Sequence, residues 1–141
     1  MKEIYTDGGC SPNPGKGAWA VVITENGEIV EELSGSLENT TNNIMEMRAV
    51  IEALKYDNNS VIYSDSAYIV DCIKQKWYAK WIKNNWKRKW NGEISEVKNK
   101  ELWEEIIKLK GSAVFVKVKG HSDCEFNNRA DELCIEARIK G

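Results

Sequence analysis

The sequence predicts an α/β fold, a mixed five-stranded sheet in which an antiparallel meander is joined by parallel strands and flanked by helices. Two observations carry this. Three strand-like runs follow one another near the start with only short links, including an Asn26-Gly27 turn, which is the pattern of an antiparallel meander. After residue 41 helical and strand-like periodicities alternate, which is the layering of helices on the faces of a sheet.

The first strand runs through Ile4, Tyr5 and Thr6 to Asp7, where Gly8-Gly9 and a loop over 10–17 follow. The second strand covers 18–24, Glu25 to Glu28 turn, and the third covers 29–37. A helix is expected over 42–56, because Ile44, Met47, Val50, Ile51 and Leu54 share one face. The strand 60–64 follows, then a helix from 66 to about 75. Further helix is expected over roughly 77–89 and 99–110, with 91–97 as the loop between them. A strand over 113–118 and a helix from about 124 to 139 close the chain.

The 141 residues suit a single domain, 1–141, with one substantial core. There is no internal repeat, low-complexity tract or long apolar run, so a membrane span is not expected. The start of the chain lacks the apolar stretch of a signal peptide, which places the protein in the cytoplasm. Cys10, Cys72, Cys124 and Cys134 are scattered without a C-x-x-C pair, which disfavours a zinc site and suits a reducing compartment.

The net charge of −2 is unevenly spread. Lys74, Lys76, Lys80, Lys83, Lys87, Arg88 and Lys89 fall within 74–90 with no acid among them. Taking these seven away from the net −2 leaves −9 for the remainder. A basic patch on an acidic body is an electrostatic footprint for a polyanion. Trp77, Trp81 and Trp86 are spaced along the same stretch, where most of them would pack it onto its neighbours.

Three acidic residues fall at strand ends or helix starts, and each has an ordinary structural role available. Asp7 before two glycines could belong to a turn. Glu46, four residues after Asn42 and in the first turn of its helix, could complement the helix dipole. Asp65, after the strand 60–64, could cap the next helix. A fourth acid, Asp131, lies on the last helix. Brought together, four carboxylates without a histidine or cysteine among them select a hard cation such as Mg²⁺. Two such ions could serve an in-line displacement at phosphorus.

Five segments in order, Tyr5-Thr6-Asp7-Gly8, Thr41-Asn42-Asn43-Ile44-Met45-Glu46, Ser64-Asp65-Ser66, Val118-Lys119-Gly120-His121 and Asn127-Asn128-Arg129-Ala130-Asp131-Glu132-Leu133, resemble ribonuclease H of the type 1 family, and the resemblance covers essentially the whole chain. It implies the ribonuclease H-like fold and an endonuclease that cuts the RNA strand of RNA–DNA hybrids by a two-metal-ion mechanism, leaving 5′-phosphate and 3′-hydroxyl ends. It implies Mg²⁺ as cofactor, with Mn²⁺ as a substitute, and a monomer. Asp7 would bridge both ions, Asp131 would serve the one that activates water, and Glu46 and Asp65 the one on the leaving-group side. His121 would assist proton transfer or product release.

Cys10, Asn13, Asn42 and Asn43 correspond to family positions along the RNA strand, where short polar groups read 2′-hydroxyls. Thr41 and Asn99 correspond to contacts with the DNA strand, and Trp77, Trp81 and Trp103 to its aromatic channel. The basic stretch, about 74–92 and including Lys83, Lys87 and Arg88, resembles the protruding handle of bacterial members. The chain departs from the family at Ala67, where a glutamine is common, at Asn128, where a glutamate is usual, and at Asp123, which replaces a glycine.

Overall fold

A computed structural model describes residues 2–90, 92–118 and 124–140. The central sheet has five strands in the order β3-β2-β1-β4-β7. β1 (Glu3–Cys10), β2 (Gly15–Glu25) and β3 (Glu28–Thr40) form the antiparallel meander. Asn26 and Gly27 both take positive φ between β2 and β3, as the expected turn requires. β4 (Val61–Ser64) and β7 (Val114–Lys117) then add in parallel to β1.

The helices divide between the two faces. On one lie α1 (Asn42–Tyr56), α2 (Ala67–Lys74) and α4 (Lys100–Leu109), over a core that includes Ile4, Val21, Ile23, Met47, Val50, Ile51, Ile62, Ile69, Trp103 and Ile106. On the other lies α5 (Glu125–Lys140), where Ala130, Leu133 and Cys134 pack on Tyr5, Ala18, Ala20 and Val22. Alternation along β1 sends Ile4 to the first face and Tyr5 to the second. Each fully buried Ile, Val or Met contributes about 1.5–3 kcal/mol relative to an exposed position. Among the described residues no helix is long and apolar enough to cross a membrane.

The stretch expected as helix over 77–89 and loop over 91–97 is different. α3 is only Trp77–Lys83. Asn85 and Trp86 then take positive φ, which ends the helix, and β5 (Lys87–Trp90) pairs antiparallel with β6 (Glu93–Glu96) as a separate two-stranded ribbon. The turn between them contains Gly92 at φ 81°. Lys83 therefore closes a short helix, while Lys87 and Arg88 lie on a strand. Lys87 stands directly opposite Glu96. The ribbon is tied at its base, where Val97 N–H donates to the Trp86 carbonyl at 2.8 Å and Trp81 and Trp86 pack at 6.2 Å between ring centres.

Candidate active site

Each acid proves to lack the ordinary role that the sequence allowed it. β1 continues past Asp7 to Cys10, paired with β2 throughout, so Asp7 is mid-strand and not in a turn. Glu46 lies beyond the first turn of α1, which holds no acid; Thr41 caps that helix by accepting from Ile44 N–H at 3.2 Å. Ser66, not Asp65, caps α2, accepting from Ile69 N–H at 3.3 Å.

The fold brings these three side chains together. β1 and β4 are in register only as far as Tyr5 and Tyr63, and Asp7 and Asp65 each follow two residues later. Glu46 arrives from α1, whose backbone lies directly against β1 at Gly8. A Cβ on Gly8 would stand 2.5 Å from Glu46 N, so only glycine admits this approach. Carboxylate oxygens of Asp7, Glu46 and Asp65 fall within 4.8 Å of one another. Asp131 on α5 adjoins Asp7 and completes a small pocket with Asp65, Asn127 and Asn128.

The electrostatics are those of crowded like charges. Burial, then Asp65 and Asp131, push the Asp7 carboxyl up to about 7. Burial, then Asp65, also raise Glu46, against a hydrogen bond from Ser66 that lowers it. Asp65 Oδ1 is buried and has no hydrogen-bond partner among the described residues. An unpaired buried carboxylate oxygen among raised acids is unfavourable in the bare protein and suited to a divalent cation. The donors are all hard oxygens, so the residues present fit Mg²⁺ or Mn²⁺.

Beyond the acids, the end of β1 and the loop after it meet the start of α1. Cys10 N–H donates to Asn42 Oδ1 at 2.7 Å, and Asn13 and Asn43 lie on the same loop and helix start. Thr41 and Pro14 line a hollow beside it with Ile44.

The sequence matches the RNase H family model over residues 1–139. The chain belongs to the ribonuclease H family. It is 51% identical over 140 residues to ribonuclease H of Caldicellulosiruptor saccharolyticus, covering 94% of each chain. It is 48% identical over 139 residues to that of Thermoanaerobacter sp. strain X514, covering 95% of this chain and 87% of the relative. Among solved structures it is similar to LC11-RNase H1 in complex with an RNA/DNA hybrid, with a TM-score of 0.69, 27% identity and 99% and 98% of the two chains covered. It also resembles LC9-RNase H1, described as a type 1 RNase H with the type 2 active-site motif, with a TM-score of 0.81, 29% identity and 99% and 72% covered.

Within this ribonuclease H fold the other expected site residues are distributed unevenly. Trp103, expected to contact the substrate, is fully buried, edge-on to Tyr68 and tilted against Trp81, so it is a core side chain and offers no surface to a ligand. Trp77 and Trp81 are half-buried in front of it. Asn99 occupies the position before α4 with a left-handed backbone, and its side chain makes no capping hydrogen bond. His121 and Asp123 lie outside the described residues.

Two features of this ribonuclease H site were not singled out from the sequence. Asn127 is buried in the acidic pocket; its spacing of four residues from Asp131 on one helix was the available signal. Cys134, one turn after Asp131, is buried against Ala18, and burial, followed by the charges of Asp7, Asp131 and Asp65, holds its thiol well above the usual range. It is therefore a neutral packing group and not a ligand.

Proposed function

We propose that this chain is a metal-dependent endonuclease that hydrolyses the RNA strand of RNA–DNA hybrids, leaving 5′-phosphate and 3′-hydroxyl ends, and that it works as a single domain and a monomer. The observation that carries this is the convergence of Asp7, Glu46, Asp65 and Asp131 with one buried carboxylate oxygen unpaired. Family membership supports it, as does the hybrid bound to the related LC11-RNase H1.

Asp7, Glu46, Asp65 and Asp131 would hold two Mg²⁺ ions. Bound there, the ions supply activation of the attacking water and stabilisation of the leaving oxygen. Everything else is done by side chains of this chain. Cys10, Asn13, Asn42 and Asn43 form the groove beside the acids, where 2′-hydroxyls distinguish RNA from DNA. Thr41, Asn99, Trp77 and Trp81 face the DNA strand, with Trp103 supporting them from beneath. Lys83, Lys87 and Arg88 draw in the phosphates. His121 moves a proton at the leaving or attacking oxygen.

The test compares a labelled hybrid, duplex RNA, duplex DNA and single-stranded RNA, with and without magnesium. Cleavage confined to the RNA strand of the hybrid, and dependent on the metal, is expected. Binding of the hybrid without cleavage would overturn the reading.

A further inference from the structure

The loop between β1 and β2 is fastened to the start of α1 by a closed set of hydrogen bonds. Cys10 N–H donates to Asn42 Oδ1 at 2.7 Å. Asn42 N–H donates in the other direction, to Asn13 Oδ1 at 3.2 Å. The Cys10 thiol donates to the same Asn13 oxygen at 3.2 Å. Asn42 is the first residue of α1, and its amide is one that a helix leaves without an internal acceptor. Thr41 supplies its own hydroxyl to Ile44 N–H. The Asn42 amide is instead satisfied from the loop, 29 residues away in sequence.

We infer that Asn13 is a positioning residue, whose side-chain carbonyl caps α1 from across the groove and thereby fixes the β1–β2 loop against the helix that carries Glu46. The inference adds to the proposed hybrid-cleaving role and rests on that reading for its kinetic measurement only. A carbonyl oxygen has two lone pairs, and those of Asn13 are taken by Asn42 N–H and the Cys10 thiol. The capping function thus needs an acceptor alone. The clamp spans a short distance on both sides: Cys10 is three residues from Asp7 and Asn42 four from Glu46. Between them lies the Gly8 contact with the α1 backbone, so the loop, the strand end and the helix start meet along one continuous interface.

Aspartate and alanine at position 13 separate capping from direct contact with substrate. Aspartate keeps both acceptor bonds, suits the positive end of a helix and lacks the amide N–H₂. Alanine keeps neither bond. Amide hydrogen exchange is measured by NMR on the full chain without nucleic acid, for wild type, Asn13→Ala and Asn13→Asp. Loss of a cap speeds exchange at Asn42 in Asn13→Ala about fivefold or more. Asn13→Asp should stay near wild type there, with core amides such as those of Val22 and Ile51 unchanged in all three. In hybrid cleavage Asn13→Ala should lose a comparable factor in kcat/KM, and Asn13→Asp should recover most of it.

Unchanged exchange at Asn42 in Asn13→Ala would overturn the capping role. So would an Asn13→Asp protein with a protected Asn42 amide that cuts no better than Asn13→Ala, because the N–H₂ would then be the working group. Were the wild-type chain inactive on hybrids, the proposed function would fall while the exchange measurement still decided the cap.

Discussion

Asp7 and Asp65 stand side by side because Tyr5 and Tyr63 pair in register on parallel strands two residues before them. The tyrosine rings stack, 4.6 Å between centres and 8° between planes, and both hydroxyls turn to Glu3, at 3.4 and 2.9 Å. Beyond this pair β1 and β4 separate, and the two carboxylates occupy the opening. The active-site spacing is thus set one layer away from the acids themselves.

The raised Asp7 has a consequence for stability. Its carboxyl is pushed up to about 7 in the folded protein against 3.8 ordinarily, so between these values the folded state holds a proton that the unfolded state has lost. Its contribution is fully present below about pH 4 and disappears as pH rises through about 7. Asp7→Asn should therefore stabilise the metal-free protein at pH 7.5 by roughly 1–3 kcal/mol, the difference shrinking towards pH 4 and on adding magnesium. Urea titrations at the two pH values check it. The same variant should show no hybrid cleavage above the assay background.

Gly8→Ala is expected to damage the site through the backbone. The added Cβ would lie 2.5 Å from Glu46 N, and this neighbour is helix backbone that cannot swing aside. Moving α1 off β1 should cost about 1–3 kcal/mol and displace Glu46 from Asp7. The sign to look for is a lowered urea midpoint together with a raised magnesium requirement. A variant as stable and as active as wild type would contradict the close approach.

Arg129 ties the helix of Asp131 to the meander. Its Nε and Nη2 meet the two carboxylate oxygens of Glu32 on β3 at 2.7 and 3.2 Å, and Nη1 meets Glu132 at 3.0 Å. The paired arrangement is one that lysine cannot reproduce. Arg129→Lys and Arg129→Ala should both raise the magnesium concentration for half-maximal activity a few-fold, with KM for hybrid little changed. Metal-dependence curves at fixed substrate provide the measurement.

The basic arm should not behave as a row of equal charges. Lys83 is exposed at the end of α3 with no acid opposite it on a strand, whereas Lys87 stands across the ribbon from Glu96, whose charge offsets its attraction for phosphate. Lys83→Gln should flatten the plot of log affinity against log salt by about 0.7–0.9 if it meets one phosphate. Lys87→Gln should change the slope less, and Glu96→Gln should strengthen hybrid binding. A kcat near wild type is expected in all three, since binding shared by ground and transition states enters KM alone.

The sheet was legible in the sequence because its signals are local: β-branched runs, the Asn26-Gly27 turn and the apolar face of α1. The candidate acids were legible as a set only through the five ordered segments that resemble the family; taken singly each had an ordinary role on offer, and Asp7 lies mid-strand. What misled was the basic stretch. Trp77 and Trp81 have helical spacing, but Asn84-Asn85 interrupts it, and Asn91-Gly92 between two short runs carries the same hairpin signal as Asn26-Gly27. Weight given to the tryptophan spacing hid that turn. The Asn13–Asn42 clamp and the burial of Trp103 were not legible, since both depend on partners far apart in the chain.

Five of the six tryptophans, Trp19, Trp77, Trp81, Trp86 and Trp103, belong to the core beneath α1, α2 and α4, and of these only Trp19 lies on the meander, while Tyr5 and Tyr63 stack beside the acids. The protein thus carries two separate optical reporters. With Trp19 replaced by phenylalanine, indole emission follows the docking of the basic arm on the body, and tyrosine dichroism follows the strand pair beneath the carboxylates. If the two signals melt at different denaturant concentrations, the arm comes away before the catalytic half of the sheet opens.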